Sequence, residues 1–169
     1  AFIPNMAVYK FTPTGALDTS FGDGTHHGFV VYNSTLKAGG ADFGKSIAID
    51  AAGKILVAGY GCEDFMAIIP VKAMAVWKLS SSGAKESTIT YTAATSEGNA
   101  MIIDRAGKIL IAGVIKTGST SDIGIWRYNA DGSLDTSFGT EGVISFDLVT
   151  GSGITRGSNA DIGNAIVLD

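Results

Sequence analysis

Asp50-Ala-Ala-Gly53-Lys54-Ile-Leu-Val-Ala-Gly59 recurs, with eight of ten residues unchanged, as Asp104-Arg-Ala-Gly107-Lys108-Ile-Leu-Ile-Ala-Gly113. The Asp-x-x-Gly half of the decamer is turn chemistry. An aspartate carboxylate accepts from a backbone N–H two residues on, and glycine takes a positive φ at no steric cost. The Lys-Ile-Leu-Val/Ile-Ala-Gly half is a short β-branched apolar run that stops at glycine. It is too short for an ordinary helix and fits a strand buried on both faces. Ser46-Ile-Ala-Ile-Asp50 and Ala100-Met-Ile-Ile-Asp104 lie just upstream. Each unit therefore reads as strand, tight turn, strand: a β-hairpin. Asn164-Ala-Ile-Val-Leu-Asp169 is a third upstream arm. The chain stops where its Gly-Lys-Ile-Leu would begin. Ala1 already sits almost on a strand, so a processed chain or an excised piece is expected.

Working outward, Val8-Tyr9-Lys10-Phe11, Val76-Trp77-Lys78-Leu79 and Ile125-Trp126-Arg127-Tyr128 are one strand in three copies: β-branched, aromatic, cationic, bulky apolar. Leu17-Asp-Thr-Ser-Phe-Gly22 returns unchanged as Leu134-Asp-Thr-Ser-Phe-Gly139. Two units between these hexamers give a mean period of about 58 residues. Gly28–Tyr32, Ser87–Thr92 and Gly142–Asp147 complete the strand set, with polar or Gly-rich connections at 33–44, 60–72, 116–122 and 148–160. No segment carries sustained helical spacing with caps. The expected fold is all-β: a propeller-like repeat of four-stranded antiparallel blades. It divides as a partial blade over 1–44, blades over 45–92 and 99–147, and the start of another over 148–169. One blade cannot cover both of its faces, so neighbours must do so. Fewer than four blades do not close a ring. Either a larger propeller or a homo-oligomer that completes the ring head to tail is expected.

At 169 residues and 46% apolar content the chain can bury a core and is not disordered. Its 23 glycines and 3 prolines suit many short strands. A net charge of −4 with no basic run makes nucleic acid a poor partner. No apolar stretch is long enough to span a membrane as a helix. Cys62 is the only cysteine, which excludes an internal disulfide. In a Gly-rich loop it reads as a tolerated small residue.

Taken together, Asp-x-x-Gly-Lys-Ile-Leu-Val-Ala-Gly, a strand ending Arg127-Tyr128-Asn129, and Asp131-Gly-Ser-Leu-Asp-Thr-Ser-Phe-Gly139 resemble the delta-60 repeat of bacterial surface and secreted proteins. The resemblance spans nearly the whole chain. It implies a propeller-like β-fold and an extracellular or cell-surface setting, and it carries no catalytic residues. The middle copy, Gly83-Ala-Lys-Glu86-Ser, lacks the hexamer.

Few residues point to chemistry. Tyr9, Trp77 and Trp126 share one strand position and read either as blade-to-blade packing or as ligand-stacking platforms. Asn129, Asp131, Ser133 and Asp135 alternate around Gly132 like an oxygen-ligand calcium loop. The same spacing also makes an Asx-type turn, and the first copy (Thr12, Thr14, Ala16, Asp18) is too poor in charged ligands for a metal. His26 and His27 point oppositely on an extended chain, which argues against a shared metal. No nucleophile elbow, His-Glu-x-x-His or phosphate loop is present. Catalytic residues and cofactors are therefore expected to be none, with calcium the sole candidate ion. The expected function is a non-enzymatic binding or adhesion module that recognises a glycan or a surface protein through inter-strand loops. The alternatives are a structural spacer of a larger propeller, or a hydrolase whose two carboxylates converge only in space.

Overall fold

A computed structural model describes residues 3–117, 120–146 and 160–169. The described residues contain strands and turns and no helix, and none that could cross a membrane as one. The fold is all-β and propeller-like. β1 (Met6–Tyr9) and β2 (Phe29–Tyr32) form a half-blade. β3 (Ala41–Ile49), β4 (Ile55–Cys62), β5 (Lys72–Leu79) and β6 (Lys85–Tyr91) form a middle blade in that spatial order. β7 (Ser96–Ile103), β8 (Ile109–Thr117), β9 (Thr120–Tyr128) and β10 (Val143–Phe146) form the last blade. Every pairing is antiparallel between chain neighbours, as short hairpins require.

The decamers fold alike because their turn chemistry is alike. Asp50 Oδ1 accepts from the N–H groups of Ala52 and Lys54, both at 2.9 Å. Asp104 Oδ1 accepts from Ala106 and Lys108, both at 2.8 Å. Gly53 and Gly107 then take φ of 77° and 78°, the left-handed residue that closes a hairpin of this length. The downstream arm β4 is buried at every position. Leu56 and Ala58 face the last blade, in a core with Met74, Met101, Ile111 and Trp126. Ile55 and Val57 face the half-blade, in a second core with Met6, Val8, Phe21 and Trp77. One apolar run thus serves two interfaces, which is why it does not alternate.

The recurring hexamer closes the outer part of a blade. Leu17 and Leu134 bridge back to Phe11 and Tyr128. Each would collide with a Cβ at Gly28 or Gly142, both at positive φ. Asp18 accepts from Ser20 and pairs with Lys10 at 2.9 Å, while Asp135 accepts from Ser137 and pairs with Arg127 at 2.8 Å.

Several boundaries differ from the sequence reading. β3 begins at Ala41, inside the stretch expected to be a connection, and β7 begins at Ser96 rather than Asn99. Gly44 and Gly98, just outside the expected hairpins, each sit at a register shift within a strand. The reason is close approach: a Cβ at Gly98 would lie 3.1 Å from the Gly59 carbonyl of the neighbouring blade. β8 and β9 run through most of the expected 116–122 loop and pair as far as Thr117 with Thr120. Cys62 is not a loop residue; it ends β4 and is buried, which pushes its thiol pKa up. No strand forms at 164–169. A strand needs a lateral ladder, and the described residues hold no further downstream arm to pair with this one. The segment nonetheless lies against the last blade: Gly163 N–H donates to Gly113 C=O at 3.0 Å and Asp161 N–H to Ser121 C=O at 2.9 Å. Of the expected 148–160 loop, residues 148–159 lie outside the described residues.

Candidate functional site

The middle blade departs from the last one most sharply at the turn between its second and third strands. β8 passes to β9 with Thr117 paired to Thr120. β4 passes to β5 through residues 63–71, Glu-Asp-Phe-Met-Ala-Ile-Ile-Pro-Val. The loop is fixed at its neck, where Glu63 N–H donates to Val71 C=O at 3.0 Å. An Asx turn shapes its start: Asp64 Oδ1 accepts from Met66 N–H at 3.1 Å. Its tip turns apolar side chains outward. Ile68 is 102% exposed and Ile69 79%, with Met66 and Val71 also exposed. Scattered apolar surface is ordinary, but consecutive bulky side chains on an anchored loop are the mark of an interaction site.

Beneath the loop lies an aromatic base. Phe43 of β3 stacks on Tyr60 of β4 with centroids 4.7 Å apart, and Phe65 of the loop tilts against Phe43 at 5.7 Å. The Lys72 ammonium lies 5.0 Å from the Tyr60 ring centre and that of Lys45 5.8 Å. Lys72 also reaches Glu97 of the last blade at 2.6 Å. Burial alone would lower the Lys72 pKa, but the Glu97 partner outweighs it and the net shift is upward. Burial, with Glu97 nearby, pushes the Tyr60 hydroxyl up, so Tyr60 is a neutral phenol at physiological pH. A cleft of about 230 Å³ continues the base toward the last blade, lined by Pro70, Lys72, Ser96, Glu97, Lys116 and others. The arrangement offers apolar contact above and a Lys–Glu rim beside it. No cluster of three or more metal-ligating side chains exists among the described residues.

The residues singled out from sequence lie elsewhere. Trp77 and Trp126 have no exposed surface and fill the two interblade cores. Tyr9 is 56% exposed, but it stacks on Phe29 at 5.2 Å on the half-blade. These three are not brought together. Asn129 and Asp135 do converge, on a side-chain cation: Lys108 Nζ lies 3.0 Å from Asn129 Oδ1 and 2.6 Å from Asp135 Oδ2. Asp131 turns away and accepts from Ser133 at 2.8 Å. The ligand oxygens expected for calcium are thus held by Lys108, Arg127 and serine hydroxyls. Lys108 and Ser137 hold the Asp135 carboxyl well below its ordinary range.

Sequence reading named residues 60–72 only as a variable loop and missed Phe43, Tyr60, Phe65, Met66, Ile68 and Ile69. The available signal was the apolar run Phe65–Val71, which has no counterpart after Gly113.

The comparisons bear on the scaffold. A family model described as "Domain of unknown function (DUF5122) beta-propeller" matches residues 107–138. The chain is similar to this propeller family. The matched stretch runs from Gly107 in the β7–β8 turn, through β8 and β9, to Phe138 of the recurring hexamer, so it covers part of one blade and none of the 63–71 loop. No curated protein matches the chain.

Proposed function

We propose that this chain is a non-enzymatic binding module of the delta-60 repeat type, serving adhesion on a bacterial surface or secreted protein, and that it recognises a protein partner through the 63–71 loop. The observation that carries the reading is the exposed run Met66–Ile69 on a hydrogen-bonded neck, present in one blade and replaced by a tight hairpin in the other. Apolar side chains held in place lose little entropy on docking, and water leaves them at a gain of about 25 cal/mol per Å² covered. Protein is favoured over glycan because sugar binding by stacking needs an open aromatic face. Trp77 and Trp126 offer none, Tyr60 is buried under Phe43 and the lysines, and the exposed Tyr9 lies on the half-blade with Phe29 stacked against it.

The test compares the wild-type chain with an Ile68→Asp/Ile69→Asp double variant. Both serve as bait in crosslinked capture from bacterial surface extracts and as probes on a glycan array. The expected result is a protein captured by the wild type and reduced about tenfold or more by the variant, the change that loss of about 1.4 kcal/mol produces. Thermal unfolding of the two should coincide, since both side chains are exposed. Capture that is indifferent to the substitutions, or binding to glycans alone, overturns the proposal.

A further inference from the structure

The sulfur atoms of the sequence belong to Met6, Cys62, Met66, Met74 and Met101, and the fold treats one of them unlike the rest. Met6 packs in the core between the half-blade and the middle blade, and Met74 and Met101 pack in the core between the middle and last blades. None of these three is more than 8% exposed. Cys62 is buried at the end of β4, and burial favours its protonated thiol, so little of the reactive thiolate forms. Met66 is 69% exposed.

The start of the 63–71 loop holds Met66 in that position. Ala67 N–H donates to Asp64 C=O at 3.1 Å, and Met66 N–H donates to Asp64 Oδ1 at 3.1 Å. Phe65 and Met66 are therefore the central pair of a four-residue turn. Phe65 tilts onto Phe43 in the aromatic base, whereas Met66 stays in solvent in the same run as Ile68 and Ile69. The aliphatic members of that run are inert to mild oxidants. A thioether is not: oxidation to the sulfoxide makes a flexible apolar side chain polar, and the change is reversible by reductases.

We propose that Met66 is a modification site that switches the loop: a peroxide oxidises its thioether, and the oxidised tip releases the partner. The switch rests on the docking role given to this loop above. Its chemistry balances with hydrogen peroxide alone. The Met66 sulfur attacks one peroxide oxygen, the O–O bond breaks, and that oxygen stays on sulfur while the other leaves as water. Sulfur gives up two electrons and the peroxide takes them. Docking withdraws the tip from water, and a sulfoxide oxygen covered without a donor is disfavoured there, whereas in the free chain water satisfies it. Oxidation therefore opposes docking and leaves the fold as it was. Selectivity is a property of the folded state, because the same two interblade cores that bury the tryptophans also shield the other three methionines.

The test treats the 169-residue chain with hydrogen peroxide and maps the added oxygen by peptide mass spectrometry, which needs no partner. Met66 should react about tenfold or more faster than Met6, Met74 and Met101, and the four should react alike in concentrated urea. Thermal unfolding of the chain oxidised at Met66 should match that of the untreated chain. In crosslinked capture from bacterial surface extracts, the oxidised chain should take up about tenfold less protein, and methionine sulfoxide reductases should restore the signal. Met66→Leu should capture normally before and after peroxide, and Met66→Gln should capture weakly without it. Even oxidation of the four methionines in the folded chain overturns the proposal. Full capture by the oxidised chain, where the Ile68→Asp/Ile69→Asp variant has lost it, means that the loop docks and the switch alone fails. If that double variant captures as well as the wild type, the docking role fails and the switch falls with it.

Discussion

The middle and last blades share a turn, a register and a pair of buried tryptophans, and they differ wherever a side chain meets something outside the repeat. Trp77 donates its indole N–H to Thr35 Oγ1 at 2.8 Å; Thr35 in turn holds the buried Asp42 carboxylate. Trp126, at the same strand position and equally buried, has no partner for its N–H among the described residues. Thr35 belongs to the connection that spans from β2 to β3, and the corresponding link from β6 to β7 is only residues 92–95. Lys54 pairs with Glu86 at 2.6 Å, whereas Lys108 goes to Asp135. The lesson is that the repeat fixes backbone and apolar contacts, and that polar pairing and loops are free to vary from blade to blade. The variable parts are accordingly where recognition belongs.

The comparison breaks most violently at the glycines inside the strands. A Cβ on Gly59 would run into the Phe43 carbonyl and one on Gly113 into the Glu97 carbonyl, and backbone on both sides leaves nothing to move aside. Gly59→Ala and Gly113→Ala should each cost about 3–5 kcal/mol, in the range reserved for core disruption. Gly53 and Gly107 share one turn conformation, and at Gly53 a Cβ would meet nothing within 4 Å. Their alanine variants should lose only about 1–2 kcal/mol, the left-handed penalty. Urea unfolding of the four variants decides the matter; equal losses at strand and turn would mean the two kinds of glycine do one job.

The tryptophans give a finer test. Trp77→Phe removes a satisfied N–H and leaves Thr35 short of a partner beside Asp42. Trp126→Phe removes an N–H that is buried and unpaired. Both lose apolar volume alike, so Trp77→Phe should be more destabilising by about 1 kcal/mol, the net worth of one buried hydrogen bond. Equal denaturation midpoints would show that the Thr35 contact contributes nothing.

The parts of this fold that could be read from sequence are those with local chemistry. Asp50 and Gly53 announce a turn, and Ile55–Gly59 announces a doubly buried strand, because neither depends on a distant residue. The strand starts at Ala41 and Ser96, beyond Gly44 and Gly98, are not legible for the opposite reason. A glycine at a close approach looks like a glycine at a break until the neighbouring blade is in place. The tryptophans were recognisable as one position, but a buried ring and an open stacking platform have the same sequence. The 63–71 loop was visible as a length difference. That its apolar residues face solvent rather than a core depends on the neck bond between Glu63 and Val71, which no local pattern encodes.

The smallest expected effect concerns Asp18 and Asp135, one position in two copies. Ser20 and Lys10 bring the Asp18 carboxyl down to about 2. Asp135 is held lower still, chiefly by Lys108, a cation that Asp18 lacks. Both carboxylates have folded values below the ordinary carboxylate range, near 4. Each therefore contributes stability that is complete above that range and is lost as pH falls through the folded value. Carboxyl-carbon NMR titration should find Asp18 titrating near 2 and Asp135 still ionised there. Replacing Lys108 by Met should raise Asp135 toward the Asp18 value and leave Asp18 unmoved, because the cation at Asp18 is Lys10. If Asp135 titrates alongside Asp18 in the unaltered chain, the two copies are electrostatically equivalent and Lys108 is an ornament of the turn rather than a partner of the hexamer.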